Sequence, residues 1–177
     1  EVFTWWPISW ADGEAVMNPE GSESYLDNEE MKAIYSTFRS LYEDGIVGPG
    51  ALEEQGPTWT AQFPQGTIGI QPMPASLQGM ANDLLKDEDI GVTAIAGING
   101  GQSTFVGGDS IGVSSDSTVV DQAWNFLSWM LDDEAQVEVV AKGGNVVART
   151  DLADNQYSSA DPRLVLFNTI AGVGETP

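Results

Sequence analysis

The sequence predicts a protein of the α/β class, because amphipathic helices alternate with short apolar stretches of strand type. Apolar residues recur at helical spacing over residues 27–42 and again from about Thr118 to Leu131. Residues 67–70 and 90–95 are short apolar stretches beside turn residues or polar residues, as is typical of strands. With 177 residues, the chain is also long enough to bury a core as one domain.

The first helix along the chain is predicted over residues 27–42. Its apolar positions fall on one face, which we assign to the core: Met31, Ile34, Tyr35, Phe38, Leu41 and Tyr42. Asp27, followed three residues later by Glu30, has the form of a capping box. Gly45 suits the left-handed residue that commonly follows a helix. Both ends of this helix are therefore marked in the sequence.

The later part of the chain is predicted to be mainly helical. A second helix begins at Asp132 or Asp133 and ends at residues 143–144, and a last one starts with Asp161 as its cap and reaches Gly172. The helix before these, from about Thr118, carries a stripe of apolar residues on one face: Val120, Ala123, Trp124, Leu127, Met130 and Leu131. We expect these helices to pack on each other through their apolar faces.

Charge and composition restrict the possible functions. Six Lys plus Arg stand against 27 Asp plus Glu, and the net charge of -21 repels phosphate backbones and anionic lipid headgroups. No nucleic-acid partner is therefore expected. The chain has no Cys and no His, which excludes disulfides, thiolate and Ser-His-Asp chemistry, and metal sites built on those ligands. We expect no cofactor and no metal.

No run of residues approaches the ~18 apolar residues of a membrane span. The first residues have neither the basic region nor the cleavage site of a signal peptide. We therefore expect that a targeting segment has been removed, or that the chain belongs to a longer protein.

Two stretches carry a family resemblance. The stronger reads FVGGDSIGVSSDS at residues 105–117, AWNFL at 123–127, DEAQ at 133–136 and GGNVVAR at 143–149. The second reads LYEDGIV at residues 41–47, then Trp59, Phe63 and GTIGI at 66–70. In order and spacing together they resemble the maltose-binding-protein-like family of extracellular solute-binding proteins, which serve bacterial ABC importers of sugars. The resemblance covers most of the chain.

The resemblance implies a type II periplasmic-binding-protein-like fold, in which two lobes close over a ligand. It places residues 1–109 and 143–177 in the second lobe and residues 110–142 in a helical excursion that belongs to the first lobe. It implies a non-enzymatic component that delivers a neutral sugar or oligosaccharide to an ABC permease. The location would be extracytoplasmic, as a cell-surface lipoprotein or a periplasmic protein. Because most of the first lobe would be missing, we expect this chain alone to bind its sugar weakly or not at all. We also expect the excursion either to self-associate with another copy or to collapse onto the second lobe.

A sugar site needs flat aromatic faces and planar polar groups. Trp10 and Trp59 are candidates for stacking on a sugar, with core packing as the alternative, and Asp12 follows Trp10 as a polar candidate. Met73 is a further candidate, although its segment, residues 71–76, lacks the aromatic residue that maltose-type members carry there. The remaining tryptophans are assigned to packing, in the core or between helices: Trp5, Trp6, Trp124 and Trp129.

Gly107, Gly108 and Asp109 offer bare backbone amides and a carboxylate where the resemblance places a crossing between lobes. A plain hairpin turn is the alternative for these three residues. Arg149 has a fork of donors that suits vicinal hydroxyls, and a surface ion pair with Asp151 is its alternative role. These residues complete the predicted ligand-binding set.

Other functions stay open at this point. A glycoside hydrolase or a carbohydrate-recognition module would share the same Trp and Asp residues, and a peptide or polyamine would suit the acidic charge. The paired acids at 29–30 and 132–133 are better explained as residues at helix N-termini than as an acid and nucleophile pair. The acidic run at 87–89 lacks the ligand spacing of a calcium loop and is interpreted as a solvated surface.

Overall fold

The computed structural model describes residues 2–53, 62–75 and 86–176. Five helices are described, with one two-stranded antiparallel sheet. In chain order the elements are α1 (Val2–Ala11), α2 (Glu29–Glu43), β1 (Ile95–Ala96), β2 (Gln102–Ser103), α3 (Val120–Met130), α4 (Asp133–Ala135) and α5 (Pro162–Ala171). A π-helical stretch, Gln136–Ala141, continues α4 directly. Mixed helix and strand content is compatible with the predicted α/β class.

The chain divides into two compact units. Unit 1 consists of Glu1–Phe105 together with Val173–Pro177, and unit 2 consists of Val106–Gly172. The chain therefore leaves unit 1 after Phe105 and returns at Val173. The predicted change at residue 110 lies close to the first of these boundaries, whereas the predicted return at 143 lies inside unit 2. The assignment of these segments to lobes stays a prediction.

The core of unit 1 is built between α1 and α2. Its buried apolar residues are Ile8, Trp10, Val16, Met31 and Ile34. Met31 and Ile34 are completely buried, and burying a side chain of this size contributes about 1.5–3 kcal/mol. Trp5 and Trp6 pack against this core, as predicted.

Helix α1 is the main element that the sequence did not predict. It is apolar on all sides, so its sequence shows no helical periodicity. It also contains Pro7, which is unfavourable inside a helix. Ring contacts hold it in unit 1: Trp5 lies 4.5 Å from Phe38 of α2 between ring centroids, and Phe3 lies 4.9 Å from Phe105. Tertiary packing explains this helix better than its local sequence does.

The N-cap residue of α2 lies one position later in the sequence than predicted. Asn28, not Asp27, is the N-cap residue, and its side-chain oxygen accepts a 2.7 Å hydrogen bond from the backbone N–H of Met31. The predicted capping box of Asp27 and Glu30 is therefore wrong. The predicted C-terminal signal is confirmed, since Gly45 has a φ of 73°.

The sheet is smaller than the sequence predicted. Within the predicted strand at 90–95, only the last residue, Ile95, belongs to β1, which pairs with β2 so that Ile95 lies opposite Ser103. Residues 67–70 form no strand, and Ile70 is 89% exposed. Apolar residues in these stretches lack a partner strand among the described residues, so strand propensity alone does not order them.

In unit 2, the predicted helices are confirmed within two residues of their expected ends. Asp161 caps α5 and accepts a 2.9 Å hydrogen bond from the N–H of Arg163. Buried Gln136 joins two segments, because its Nε2 donates to the carbonyl of Met130 and its Oε1 accepts from the N–H of Ala148. These bonds fix the turn between α3 and α4.

Helix α3 itself contains no buried residue. Trp124 is 53% exposed and Trp129 is 39% exposed, so the packing role predicted for them is not met by the described residues. The ring of Trp129 stacks on Phe126, at 5.8 Å between centroids, and Phe126 is exposed as well. The amphipathic pattern of α3 thus correctly predicts a helix but not its burial.

Candidate functional site

A concavity of about 440 Å³ lies in unit 1 beside Trp10. One wall is a turn that follows α1, in which the Asn18 side-chain oxygen accepts hydrogen bonds from the N–H groups of Ser22 and Glu23 at 2.8 and 2.9 Å. Glu175 forms another part of the wall and is held by a 3.1 Å bond from its N–H to the carbonyl of Thr104. The residues that line the concavity are Trp10, Ala15, Val16, Met17, Asn18, Pro19, Glu20, Gly21, Glu175 and Thr176.

Trp10 lies between the core of unit 1 and the concavity. Its side chain is 7% exposed and lies 6.0 Å from the ring of Trp6 and 5.9 Å from that of Phe105, between centroids. It therefore packs in the core of unit 1 while it also borders the concavity. Stacking of Trp10 on a ligand stays a prediction, and its packing contacts give the residue a structural role in any case.

Asp12 binds the loop between β1 and β2. Its Oδ2 accepts hydrogen bonds from the backbone N–H and the side-chain Nδ2 of Asn99, at 3.0 and 3.2 Å. Its Oδ1 accepts a 3.4 Å bond from the N–H of Gly101. A Cβ atom at Gly101 would lie 1.6 Å from the carbonyl oxygen of Ala11, so only glycine allows this close approach. Any ligand at Asp12 would have to share or replace these bonds.

Trp59 lies outside the described residues. Met73 is partly buried in a segment without regular secondary structure, residues 71–74. Neither residue can be placed beside Trp10 or Asp12 by a described contact, and their roles in ligand binding stay predictions.

Gly107, Gly108 and Asp109 form an exposed, irregular segment at the start of unit 2. Neither glycine has a positive φ, and a Cβ atom at Gly108 would meet no atom within 4 Å. Among the residues that the structure describes, none forms a hydrogen bond or an ion pair with Asp109. The backbone and the carboxylate of this segment are thus open to solvent.

Arg149 is held by acidic neighbours in unit 2. Its Nε and NH2 donate to Asp151, while NH1 donates to Asp133 at 2.7 Å and to the carbonyl of Leu131 at 3.1 Å. The bond with Asp151, followed by that with Asp133, raises the pKa of Arg149, and the same contact lowers the pKa of Asp151. The predicted alternative, an ion pair with Asp151, is present. A ligand could use only the donors that remain.

The predicted set is therefore divided between the units. Trp10 and Asp12 lie in unit 1, close together in the chain, whereas the segment 107–109 and Arg149 lie in unit 2. Sequence reasoning missed the contact of Asp12 with Asn99, which is separated from it by 87 positions. Only the glycines around Asn99 could have indicated a close approach at that loop.

Two kinds of feature are absent from the described part of the chain. No group of three acidic, histidine or cysteine side chains there is arranged to hold a metal ion. None of the helices within residues 2–53, 62–75 and 86–176 has both the length and the apolar character to span a bilayer.

Comparison with known proteins identifies the family. No curated protein matches the chain closely enough to be reported as a relative. A sequence model described as bacterial extracellular solute-binding protein matches residues 3–165, which is most of the chain. The chain therefore belongs to the bacterial extracellular solute-binding proteins.

Proposed function

We propose that this chain captures a neutral sugar or oligosaccharide for an ABC importer and delivers it to the membrane permease. The family supports a substrate-binding role in an ABC transporter and an extracytoplasmic location, which suits a lipoprotein or a periplasmic protein alike. Proteins of this family are typically not enzymes. The sugar and its delivery to a permease are the further steps of the proposal.

The observation that carries the proposal is the open segment at Gly107, Gly108 and Asp109. A carboxylate without a partner among the described residues can accept two hydrogen bonds from neighbouring hydroxyls of a sugar. Both glycines are exposed and have no side chain of their own, so the backbone N–H and C=O groups beside the carboxylate are accessible. This combination suits a polar, uncharged ligand.

The charges of the chain support a neutral ligand over an anionic one. Five of its six basic side chains already form ion pairs with carboxylates: Lys32, Arg39, Lys142, Arg149 and Arg163. An anion would meet a net charge of -21, and five of the six cations already lie beside a carboxylate. A neutral sugar avoids that repulsion.

Asp109→Ala tests the segment in the full-length gene product. Loss of a hydrogen-bonded hydroxyl partner costs about 1–3 kcal/mol, so the affinity for the sugar should fall by roughly 5- to 150-fold in calorimetry. Asp116→Ala is the matched control, since Asp116 is also exposed and has the same charge. Equal affinities of both variants and the unchanged protein would remove Asp109 from the site.

A cationic peptide or polyamine is a second candidate ligand, because the acidic surface attracts it. Binding of spermidine should then weaken strongly as salt rises, whereas binding of a neutral sugar should change little. Hydrolysis of a chromogenic glycoside would instead favour the glycoside hydrolase. The described acids argue against that enzyme, since Asp133 is bonded to Arg149 and Glu29 to Lys32.

The exposed face of α3 supports the further proposal that this chain associates with a second copy of itself when it stands alone. Val120, Trp124 and Leu131 share one side of the helix by their spacing, and Phe126 and Trp129 lie on the other side, each residue at least 39% exposed. Large exposed apolar surfaces on soluble proteins are typical of sites that contact another surface. The negative charge opposes association, but salt near physiological strength screens it beyond ~8 Å.

Light scattering of this chain at several concentrations tests the association. The apparent mass should rise with concentration, and the double variant Trp124→Ser and Phe126→Ser should remain monomeric. Ile46→Ser is the control, because Ile46 is an exposed apolar residue of unit 1. A strictly monomeric chain at all concentrations would contradict the proposal.

A further inference from the structure

Two acidic side chains from different elements meet beside the loop between β1 and β2. The carboxylate of Asp12, just after α1, is fixed by three hydrogen bonds from Asn99 and Gly101. Gly97 packs against the same carboxylate, since a Cβ atom there would lie 2.3 Å from Oδ1 of Asp12. Asp12 accepts all these bonds, so its carboxylate serves as a fixed acceptor that the loop holds in place.

Glu30, in the first turn of α2, interacts through its side chain with Asp12 and Asn99. Its Oε1 is buried and has no hydrogen-bond partner among the described residues. Burial and then the contact with Asp12 raise the pKa of Glu30 above its ordinary value, and Asn99 only partly opposes this. A carboxyl group that faces a fixed acceptor can satisfy it only as a donor, which requires a proton.

The charges around Glu30 give it no other way to be neutralised. From the segment after α1 it faces Asp12 and Glu14, and from the loop it faces the neutral amide of Asn99. On its own helix, Glu29 and Lys32 are 2.7 Å apart and bonded to each other. Among the described residues, no basic side chain forms an ion pair with Glu30, and no metal-binding group of three acids is present.

We propose that Glu30 and Asp12 bind one proton between them, and that this shared proton fastens α2 to the end of α1 and to the β1–β2 loop. In the protonated state the Glu30 O–H donates to the Asp12 carboxylate. After deprotonation two carboxylates face each other, and their repulsion loosens this corner of unit 1. The pair is thus a proton-binding site within unit 1, at the ends of the helices that build its core.

The sign of the effect follows from the direction of the shift. Because the pKa of Glu30 is higher in the folded than in the unfolded chain, its stabilising effect is complete below the unfolded pKa. That effect is lost as the pH rises through the folded pKa. Glu30 therefore favours the folded state more strongly in acidic solution than at a pH above its folded pKa.

Thermal unfolding of the chain from about pH 4 to about pH 8 tests the proposal. In Glu30→Gln the amide can donate to Asp12 at every pH, so this variant should melt roughly 2–4 °C higher than the control near neutral pH. The difference should shrink towards acid pH. Glu23→Gln is the matched control, because Glu23 is exposed and this substitution removes the same charge.

A lower melting temperature of Glu30→Gln near neutral pH, or a difference that is the same at all pH values, would overturn the proposal. A second measurement does not depend on the stability of any variant. The carboxyl ¹³C signal of Glu30 in the unchanged chain should titrate above the ordinary range of glutamate, and its midpoint should fall in Asp12→Asn. A Glu30 signal that titrates as an ordinary glutamate would also overturn it.

Discussion

Helices α2 and α3 have similar patterns but opposite surroundings. Both were predicted as amphipathic helices from apolar residues at helical spacing, and both are present. Yet α2 buries Met31 and Ile34 completely in unit 1, whereas α3 in unit 2 buries no residue. A periodic apolar face predicts that other residues pack on one side of a helix. It does not predict whether those residues belong to the same chain.

The difference is also one of residue type. The buried face of α2 uses Met31 and Ile34, and its tyrosines lie nearer to solvent, with Tyr35 41% exposed. The apolar surface of α3 exposes large aromatic rings, with Trp124 at 53% and Phe126 at 58%. Aromatic residues of this kind are enriched where two protein surfaces meet. The comparison therefore assigns folding to the face of α2, and the exposed aromatic rings of α3 support the proposal that this helix contacts a second copy of the chain.

The largest expected effect comes from shortening a core residue of α2. Ile34→Ala should lower the free energy of unfolding by about 3 kcal/mol, because it removes buried methyl groups and leaves a cavity. Leu131→Ala, at the end of α3, should change it by less than about 0.5 kcal/mol, since Leu131 is 55% exposed. Denaturant unfolding at low protein concentration measures both values.

Equal losses from the two variants would break the comparison, because they would mean that α3 is as much a part of the folded core as α2. A loss for Leu131→Ala that appears only at high concentration would sharpen it. In that case the face of α3 is buried by association rather than by folding.

A smaller effect is expected at the loop between β1 and β2, which donates hydrogen bonds to Asp12. Gly101→Ala should cost about 2 kcal/mol, since its Cβ would collide with the carbonyl of Ala11 and displace the loop backbone. Gly91→Ala is the control, because a Cβ atom there meets nothing within 4 Å and Gly91 has no positive φ. Urea unfolding of both variants measures the difference, and an equal effect would show that the close approach is not required.

Local signals predicted the fold best where they act within a few residues. Gly45 and Asp161 end and begin helices by their own backbone or side-chain bonds, and both were found as predicted. The prediction failed at α1, whose apolar surface has no period, and at residues 67–70, whose strand pattern has no described partner strand. Whether such residues form a helix or a strand depends on packing against distant parts of the chain.

The candidate site was harder to predict for the same reason. Trp10 was predicted as a ligand residue or a core residue, and its core packing is present while its ligand role stays a prediction. Its contact with Phe105 depends on the folded unit. Asp12 was selected as a polar candidate, whereas its bonds to Asn99 arise across 87 positions of sequence. The proton-binding pair with Glu30 gave no sequence signal, because Glu30 was interpreted as part of a helix cap.

The smallest expected effect on stability concerns Asp161 in unit 2. Its pKa is shifted in the opposite direction to that of Glu30 in unit 1. In unit 2, burial opposes ionisation of Asp161, but the bonds from Arg163 outweigh it and lower the pKa of Asp161. Its stabilising effect is present above the unfolded pKa and is lost as the pH falls through the folded pKa, opposite to Glu30. Asp161→Ala should cost about 1 kcal/mol near neutral pH, because α5 loses its N-cap acceptor.

The pH dependence of that cost is measured by urea unfolding of the unchanged chain and of Asp161→Asn. The Asn side chain can still cap the helix but does not titrate, so the advantage of the unchanged chain should decrease as the solution becomes acidic. An advantage that grows in acid would contradict the assignment of Asp161 as an ionised cap.

Calorimetric titration of the full-length gene product tests the central claim most directly. The ligands are glucose, maltose and sucrose, with spermidine and an anionic sugar phosphate for comparison. We predict saturable binding of at least one neutral sugar, recovery of that sugar unchanged, and little dependence on salt. Binding of spermidine alone, or recovery of a hydrolysed sugar, would contradict the claim that this solute-binding protein captures a neutral carbohydrate.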